Sequence, residues 1–270
     1  MHVHVYAGAA EFLARTNIEL EKNEAANNLL LGLADRLVTD PNFYGDDPFF
    51  ATVESEKSGS LLAAALRTPP HSLIVHSAVQ TAEPVMAALA EEIHRRNMQL
   101  PGVLGPAEAA DIFARAWTAK AGCKALLSMR ERVYELRKVI SPHPVAGRLR
   151  KAEDLDGALL LRWYRDFTIE ALPDEDPKSI TDADAPRYLR GMYLWEDDGR
   201  PVSMARIGRH TLHGATVGPV YTPPELRRHG YASACVAAVS QIILDSGCRS
   251  CRRGTESNHS TSITINPGSR

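Results

Sequence analysis

Nowhere in these 270 residues do apolar side chains run for the roughly 18 consecutive positions that a membrane-crossing helix needs, so no such helix is expected. Cysteine is scarce: four in this length are too few for a disulfide framework, and Cys123 and Cys235 fall in apolar segments where a free thiol behaves as a small hydrophobe. An excess of one charge is also missing. The 31 Lys and Arg against 33 Asp and Glu leave a formal net charge of −2, without the field that gathers nucleic acid or anionic lipid, so any anion site must be local. The opening Met1-His2-Val3-His4-Val5 has no basic segment and no long apolar stretch; it alternates, reads as a strand and not as a signal peptide, and makes the cytoplasm the expected location. Cys248-x-x-Cys251 has no second pair, and with His259 it offers three ligands where a structural zinc needs four, so no metal is expected.

Hydrophobic residues make up 44% and charged residues 24%, ordinary globular proportions, and the length suits two domains. The first strand is followed by helices across Ala9 to Val38, where Phe12, Leu20, Leu30, Leu33 and Leu37 supply an apolar face. After a Pro- and Asp-rich loop, Phe49 to Glu54 and Ser60 to Leu66 read as paired strands and Ser72 to Ser77 as a third. Helices are expected at Glu83 to Asn97 and Glu108 to Lys120, then a charged strand at Arg130 to Val139. Ser141-Pro142-His143-Pro144 is the expected linker, dividing the chain into residues 1–141 and 145–270.

The second half restarts with a short strand near Arg148 and a helix opened by Glu153-Asp154. Met192 to Glu196 and Pro201 to Ile207 flank Asp197-Asp198-Gly199-Arg200, a hairpin turn in which Asp-Gly supplies positive φ. A strand at Thr216 to Tyr221 leads through a basic, Gly-containing turn into a helix from about Tyr231 to Asp245, closed by Gly247. That turn is the most informative stretch. The unpaired N–H groups of Arg228, His229, Gly230, Tyr231, Ala232 and Ser233 at a helix start form a ready anion cradle; Arg227 and Arg228 add charge-assisted donors, and Gly230 removes a Cβ from the backbone's path. Arginines oppose the dipole at a helix N-terminus, so a bound anion accounts for them better than chance does.

Arg227-x-x-Gly230-x-Ala232, preceded by Val217-Gly-Pro-Val-Tyr221 and followed by an amphipathic helix, resembles the acetyl-CoA signature of GNAT acyltransferases. The likeness runs from about Gly147 to Asn258. It implies a mixed α/β fold, a mostly antiparallel twisted sheet flanked by helices. It also implies a strand that splays from its neighbour, so that the pantetheine arm of acetyl-CoA, the co-substrate, pairs with main chain near Val220 and Tyr221. Asn258 falls loosely on the family's Asn-bearing turn. Asn27-Asn28-Leu29 with Leu31-Gly32-Leu33 is similar to a bacterial subgroup of two-part members, in which a degenerate GNAT-like half precedes the CoA-binding half. The first half agrees, since its corresponding helix is entered through Thr81-Ala82-Glu83-Pro84, without the glycine or the cations.

The resemblance implies transfer of an acetyl group to an amine, with a small molecule or peptide as acceptor and no nucleic-acid or membrane partner. The acceptor and the oligomeric state are not legible. The family's later helix usually carries a Tyr that protonates the departing thiolate, but here Thr264 is nearest that position. Arg252 and Arg253 stand where a strand would want apolar residues, and no closing strand is expected. No general base stands out: His210 and His213 read as turn histidines, and Glu170 and Asp174 lie where the family often builds its acceptor pocket, in a segment that reads as a solvated acidic loop.

Overall fold

The computed structural model describes residues 1–45, 47–172, 176–248, 250–256 and 260–266. They divide into two compact units, Met1–Tyr134 with Gly254–Arg270, and Glu135–Arg253. The first unit runs β1 (His2–Tyr6), α1 (Ala9–Glu21), α2 (Asn28–Thr39), β2 (Phe49–Glu54), β3 (Leu61–Arg67), β4 (Leu73–Ser77), α3 (Glu83–Arg95), β5 (Gly102–Pro106), α4 (Ala107–Ala121) and β6 (Lys124–Leu136). The second runs β7 (Arg148–Lys151), α5 (Gly157–Ala171), α6 (Ala185–Leu189), β8 (Met192–Asp197), β9 (Arg200–Thr211), β10 (Gly214–Tyr221), α7 (Tyr231–Asp245) and β11 (Ser250–Glu256). The last strand, β12, spans Ser260–Asn266. Strand, helices, three antiparallel strands, helix and strand recur in the same order in both units. This is the expected mixed, mostly antiparallel architecture with two like halves.

In the first unit the sheet order is β1-β2-β3-β4-β5-β12-β6, antiparallel except where α3 carries the chain across from β4 to a parallel β5. Alternation sorts the two faces: Phe49, Ala51, Val53, Leu73 and Val75 join the core beneath α3 and α4, while Phe50 and Ile74 join the core beneath α1 and α2. Strand β5 was not legible in the sequence, because Pro101-Gly102 and Gly105-Pro106 bracket two apolar residues and read as loop. The glycines answer to crowding: a Cβ on Gly105 would lie 2.5 Å from the Val75 carbonyl oxygen, and one on Gly102 2.5 Å from that of Ile263. Strand β6 begins at Lys124, six residues before the expected start.

The contiguous second half expected from the linker is interrupted at its end. Strand β12 lies between β5 and β6 of the first unit, antiparallel to both, and places Ile263 and Ile265 at 5% and 4% exposure in the α3/α4 core. A closing strand therefore exists, against expectation. Its Ser-Thr-Ser-Ile-Thr-Ile alternation carries only two large apolar residues, too faint a pattern to read without the neighbours. Arg252 and Arg253 likewise stand within β11.

The second unit's sheet runs β11-β10-β9-β8-β7, with β10 and β11 parallel across α7. Helix α5 covers one face, packing Leu160 and Trp163 on Met192, Leu194, Met204 and Tyr221. Helix α7 covers the other with Cys235, Val239 and Ile243 on Ala205, Ala215 and Val217. The β8–β9 turn has positive φ at Asp198 and Gly199, the hairpin that Asp-Gly predicts.

Candidate functional site

Strand β10 sets the geometry. Its parallel pairing with β11 covers Gly214, Ala215 and Thr216 and goes no further among the described residues, so the edge from Val217 to Tyr221 faces away from β9 without a partner strand. On its other edge the register with β9 shifts between Val217 and Val220. That extra residue puts both valines toward α7, although they are three apart in sequence and strict alternation would set them on opposite faces. A splayed strand with unclaimed main-chain groups results, leading directly into the turn before α7.

Helix α7 begins at Tyr231 with Gly230 as its N-cap, φ 85°. Ala234 donates to the Gly230 carbonyl at 3.0 Å, so the amides of Tyr231, Ala232 and Ser233 precede the first helical donor and point out of the helix end. Arg228 is also left-handed at φ 67°, a conformation that costs a non-glycine residue of the order of 1 kcal/mol and gathers at functional sites. Its exposed guanidinium has no partner among the described residues and stands free for an anion. Glycine at 230 is required on two counts: the positive φ, and Val145, whose Cγ2 would lie 2.8 Å from an added Cβ. The Cβ direction thus faces Val145 instead of an open cradle. The free amides, and not a missing side chain, are what the turn offers an anion.

Other members of the turn are anchors. The guanidinium of Arg227 folds back: Nε donates to the Thr222 carbonyl at 2.9 Å and Nη2 donates to both oxygens of Glu170 at 2.9 and 2.7 Å. It also sits 5.8 Å from the centre of the Tyr221 ring. Arg227 is therefore already engaged, and Glu170 meets an arginine where an acceptor amine had been considered. Sequence offered no signal for this pair, whose members stand 57 residues apart. Behind it, the Ser203 hydroxyl donates to the Tyr221 carbonyl at 3.1 Å and lies 2.8 Å from that of Thr222. Tyr231 ties the helix start to the β8–β9 hairpin, its hydroxyl donating to Asp197 at 2.6 Å, a bond that holds the phenol's pKa above its ordinary value. His229 stacks on the Tyr231 ring at 5.6 Å, with Nδ1 3.2 Å from the Leu226 carbonyl oxygen.

Tyr221 is 5% exposed against Trp163, and burial raises its pKa, so the phenol is protonated at neutral pH. Val220 lies on the α7 side of the sheet. Asn258, Asp174 and His259 fall outside the described residues. Thr264 stands in β12, paired with Gly102 and Leu126, in a strand and not in the later helix that the resemblance implies. His210 and His213 flank the β9–β10 turn, at the other end of β10 from Tyr221 and so roughly 23 Å away along the strand. Among the described residues no group of His, Cys, Asp or Glu is arranged to hold a metal ion, and no helix is long and apolar enough to cross a membrane.

The first unit has the strand-to-helix passage without the chemistry. Pairing of β4 with β5 stops at Ile74, as that of β10 stops at Thr216, but α3 starts at Glu83, with Ala82 as its N-cap and Pro84 behind, and Glu83 sets a negative charge in the first turn. That carboxylate meets the helix's own positive end and repels any other anion.

Comparison with known proteins agrees with this fold. Residues 158–263 match the model of the Acetyltransferase (GNAT) family. The fold is similar to that of a Drosophila protein of structural-genomics origin, at 14% identity and TM-score 0.63 over 99% of each chain. It is similar to an acetyltransferase of the GNAT family from Colwellia psychrerythraea, at 9% identity and TM-score 0.51 over 98% of this chain and 99% of that one. A tandem GNAT protein from the clavulanic acid biosynthesis pathway matches at 11% identity and TM-score 0.52 over the whole of both chains. Identities this low speak to fold alone. No curated protein matches the chain in sequence.

Proposed function

We propose, for a chain that carries a GNAT-family domain over residues 158–263, that the second unit holds acetyl-CoA along β10 and at the start of α7 and passes the acetyl group to an amine. One observation carries the reading: the edge of β10 left open beyond Thr216 runs straight into a turn that holds three helix-start amides and the exposed guanidinium of Arg228. An extended amide-bearing arm followed by a diphosphate matches that sequence of groups, strand edge first and anion cradle second. The attacking amine adds to the thioester carbonyl and its nitrogen gives up a proton to water; the oxygen gains negative charge that a backbone N–H near Val220 or Tyr221 stabilises, and collapse breaks the C–S bond and expels the thiolate, which takes a proton from water. Catalysis on this scheme is mainly positioning of two reactants.

The direct test is a thermal melt of the chain with and without acetyl-CoA. A rise in midpoint supports the donor site and warrants a screen of amine acceptors with release of free thiol as the readout. No rise in a folded sample removes it. A second reading, a CoA-binding sensor or partner subunit with impaired chemistry, is favoured by the place of Thr264 in β12, because the helix and tyrosine that would protonate the thiolate are not among the described residues. Loss of a positioned proton donor lowers the chemical step by about 10²–10⁴-fold. Binding without thiol release for any amine would select this second reading.

A further inference from the structure

The position of Arg227 is the unexpected feature of the donor turn. A cation on a phosphate-binding turn is ordinarily aimed at the phosphate, yet this one is withdrawn along its own loop and held there by two acceptors from different places in the unit. Its Nε closes the segment Thr222 to Arg227 on the Thr222 carbonyl, and its Nη2 is shared between the two oxygens of Glu170, at the C-terminal end of α5. Thr222 is in turn joined through its hydroxyl to Ser203 of β9. A continuous chain of polar contacts therefore runs from β9, through the first residue after β10, to the turn, and ends on α5.

We infer that Glu170 is a positioning residue for donor binding: by holding Arg227 it fixes the Thr222 to Gly230 turn, so that the amides of Tyr231, Ala232 and Ser233 converge on the diphosphate. The inference rests on the function proposed above. Mechanically, the turn's other ties are local or lie at its far end: the Leu226 and Arg227 amides donate to the Pro223 and Pro224 carbonyls at 2.9 and 3.3 Å, and the Tyr231 hydroxyl donates to Asp197 at 2.6 Å. Pro223 and Pro224 have no N–H to donate, and the left-handed Arg228 and Gly230 lie on either side of His229, so the backbone between Leu226 and α7 turns through two conformations that relax unless held. Glu170 and Arg227 are 44% and 42% exposed, so their pairing contributes little to global folding while still selecting one arrangement of the loop. One guanidinium reaches both acceptors at once, Nε on the Thr222 carbonyl and Nη2 on Glu170, a planar fork that the single nitrogen of a lysine lacks.

The experiment is a double-mutant cycle on CoA affinity by titration calorimetry, with wild type, Glu170→Ala, Arg227→Lys and the double variant, each checked by thermal melting. Arg227→Lys keeps the charge that a direct phosphate contact would use but cannot hold the Thr222 carbonyl and Glu170 together. The expected result is a weakening of roughly twofold to fivefold in each single variant, the size of an exposed ion pair. The double variant should be no weaker than the poorer single one, with melting midpoints close to wild type. A Glu170→Ala variant that binds CoA as well as or better than wild type overturns the inference, since Glu170 would then be idle or a competitor for Arg227. Additive losses overturn it too, because they would make the two residues independent. Failure of the wild-type chain to bind CoA would instead remove the proposed function itself, and the inference with it.

Discussion

Replacing Ser233 with glutamate separates the stability of α7 from its capacity for anions. Ser233 is exposed in the first turn of the helix, where a carboxylate is favoured by the helix dipole by about 0.3–1 kcal/mol, so the variant should melt at or slightly above the wild-type temperature. Its effect on a diphosphate is opposite. A negative charge about 6 Å from each of two phosphate charges costs about 0.7 kcal/mol per charge in the dielectric of bulk water, about 1.4 kcal/mol in all, and several-fold more at the lower effective dielectric of a protein surface. The bulk-water total of about 1.4 kcal/mol is already tenfold in affinity. Acetyl-CoA at 100 times its dissociation constant should stabilise the wild type by about 2.7 kcal/mol, a rise of roughly 5–10 °C in the midpoint, and the same ligand concentration should move Ser233→Glu by several degrees less. Differential scanning fluorimetry across an acetyl-CoA series measures both quantities. Equal ligand shifts in the two proteins would refute the placement of the diphosphate at this helix start, whatever the melting point of the free variant.

Other perturbations reach the scaffold. Arg150 holds Asp156 through two hydrogen bonds of 2.6 and 2.9 Å and keeps that carboxylate's pKa below its ordinary 3.8; Asp156→Ala should cost about 2–3 kcal/mol in chemical denaturation, since it leaves a half-buried arginine short of a partner. Because the folded pKa is the lower one, the stability Asp156 contributes is complete above pH 3.8 and is lost as the pH falls through the folded value, so the gap in unfolding free energy between wild type and Asp156→Asn should close in acid. Gly147→Ala should destabilise by about 2 kcal/mol or more in the same assay, with φ at 107° and a Cβ that would lie 2.3 Å from the Glu196 carbonyl oxygen. Burial pushes the Cys235 thiol up to about 12, so it should resist an aromatic disulfide reagent at pH 8 in the native protein, where the half-buried Cys123 and Cys248 react, and should be labelled only after unfolding.

Much of the architecture was legible because local rules and the fold agree. Helix α7 begins at Tyr231 and ends at Asp245 as its apolar spacing predicts, and Asp198-Gly199 makes the expected turn. Strands β5 and β12 were hidden because their sequences carry glycine, proline, serine and threonine, which read as loop until neighbouring strands supply the pairing. The candidate site divides in the same way. The cradle at Gly230 to Ser233 was legible as a motif, because free amides follow from any helix start. The engagement of Arg227 by Glu170, the bond from Tyr231 to Asp197 and the contact of Val145 on Gly230 join residues separated by 57, 34 and 85 positions, and no sequence period links them.

The amino-acid sequence by itself determined where α7 starts, which face of it is buried and that its first turn offers amides to an anion, because those properties depend on residues within a few positions of one another. Tertiary structure alone decided that β10 parts from β11 after Thr216, that β12 joins the first unit, and that Arg227 turns to Glu170 and leaves Arg228 free. These outcomes depend on which distant strand or side chain arrives within hydrogen-bonding range, and that distance is set by the packing of the whole unit.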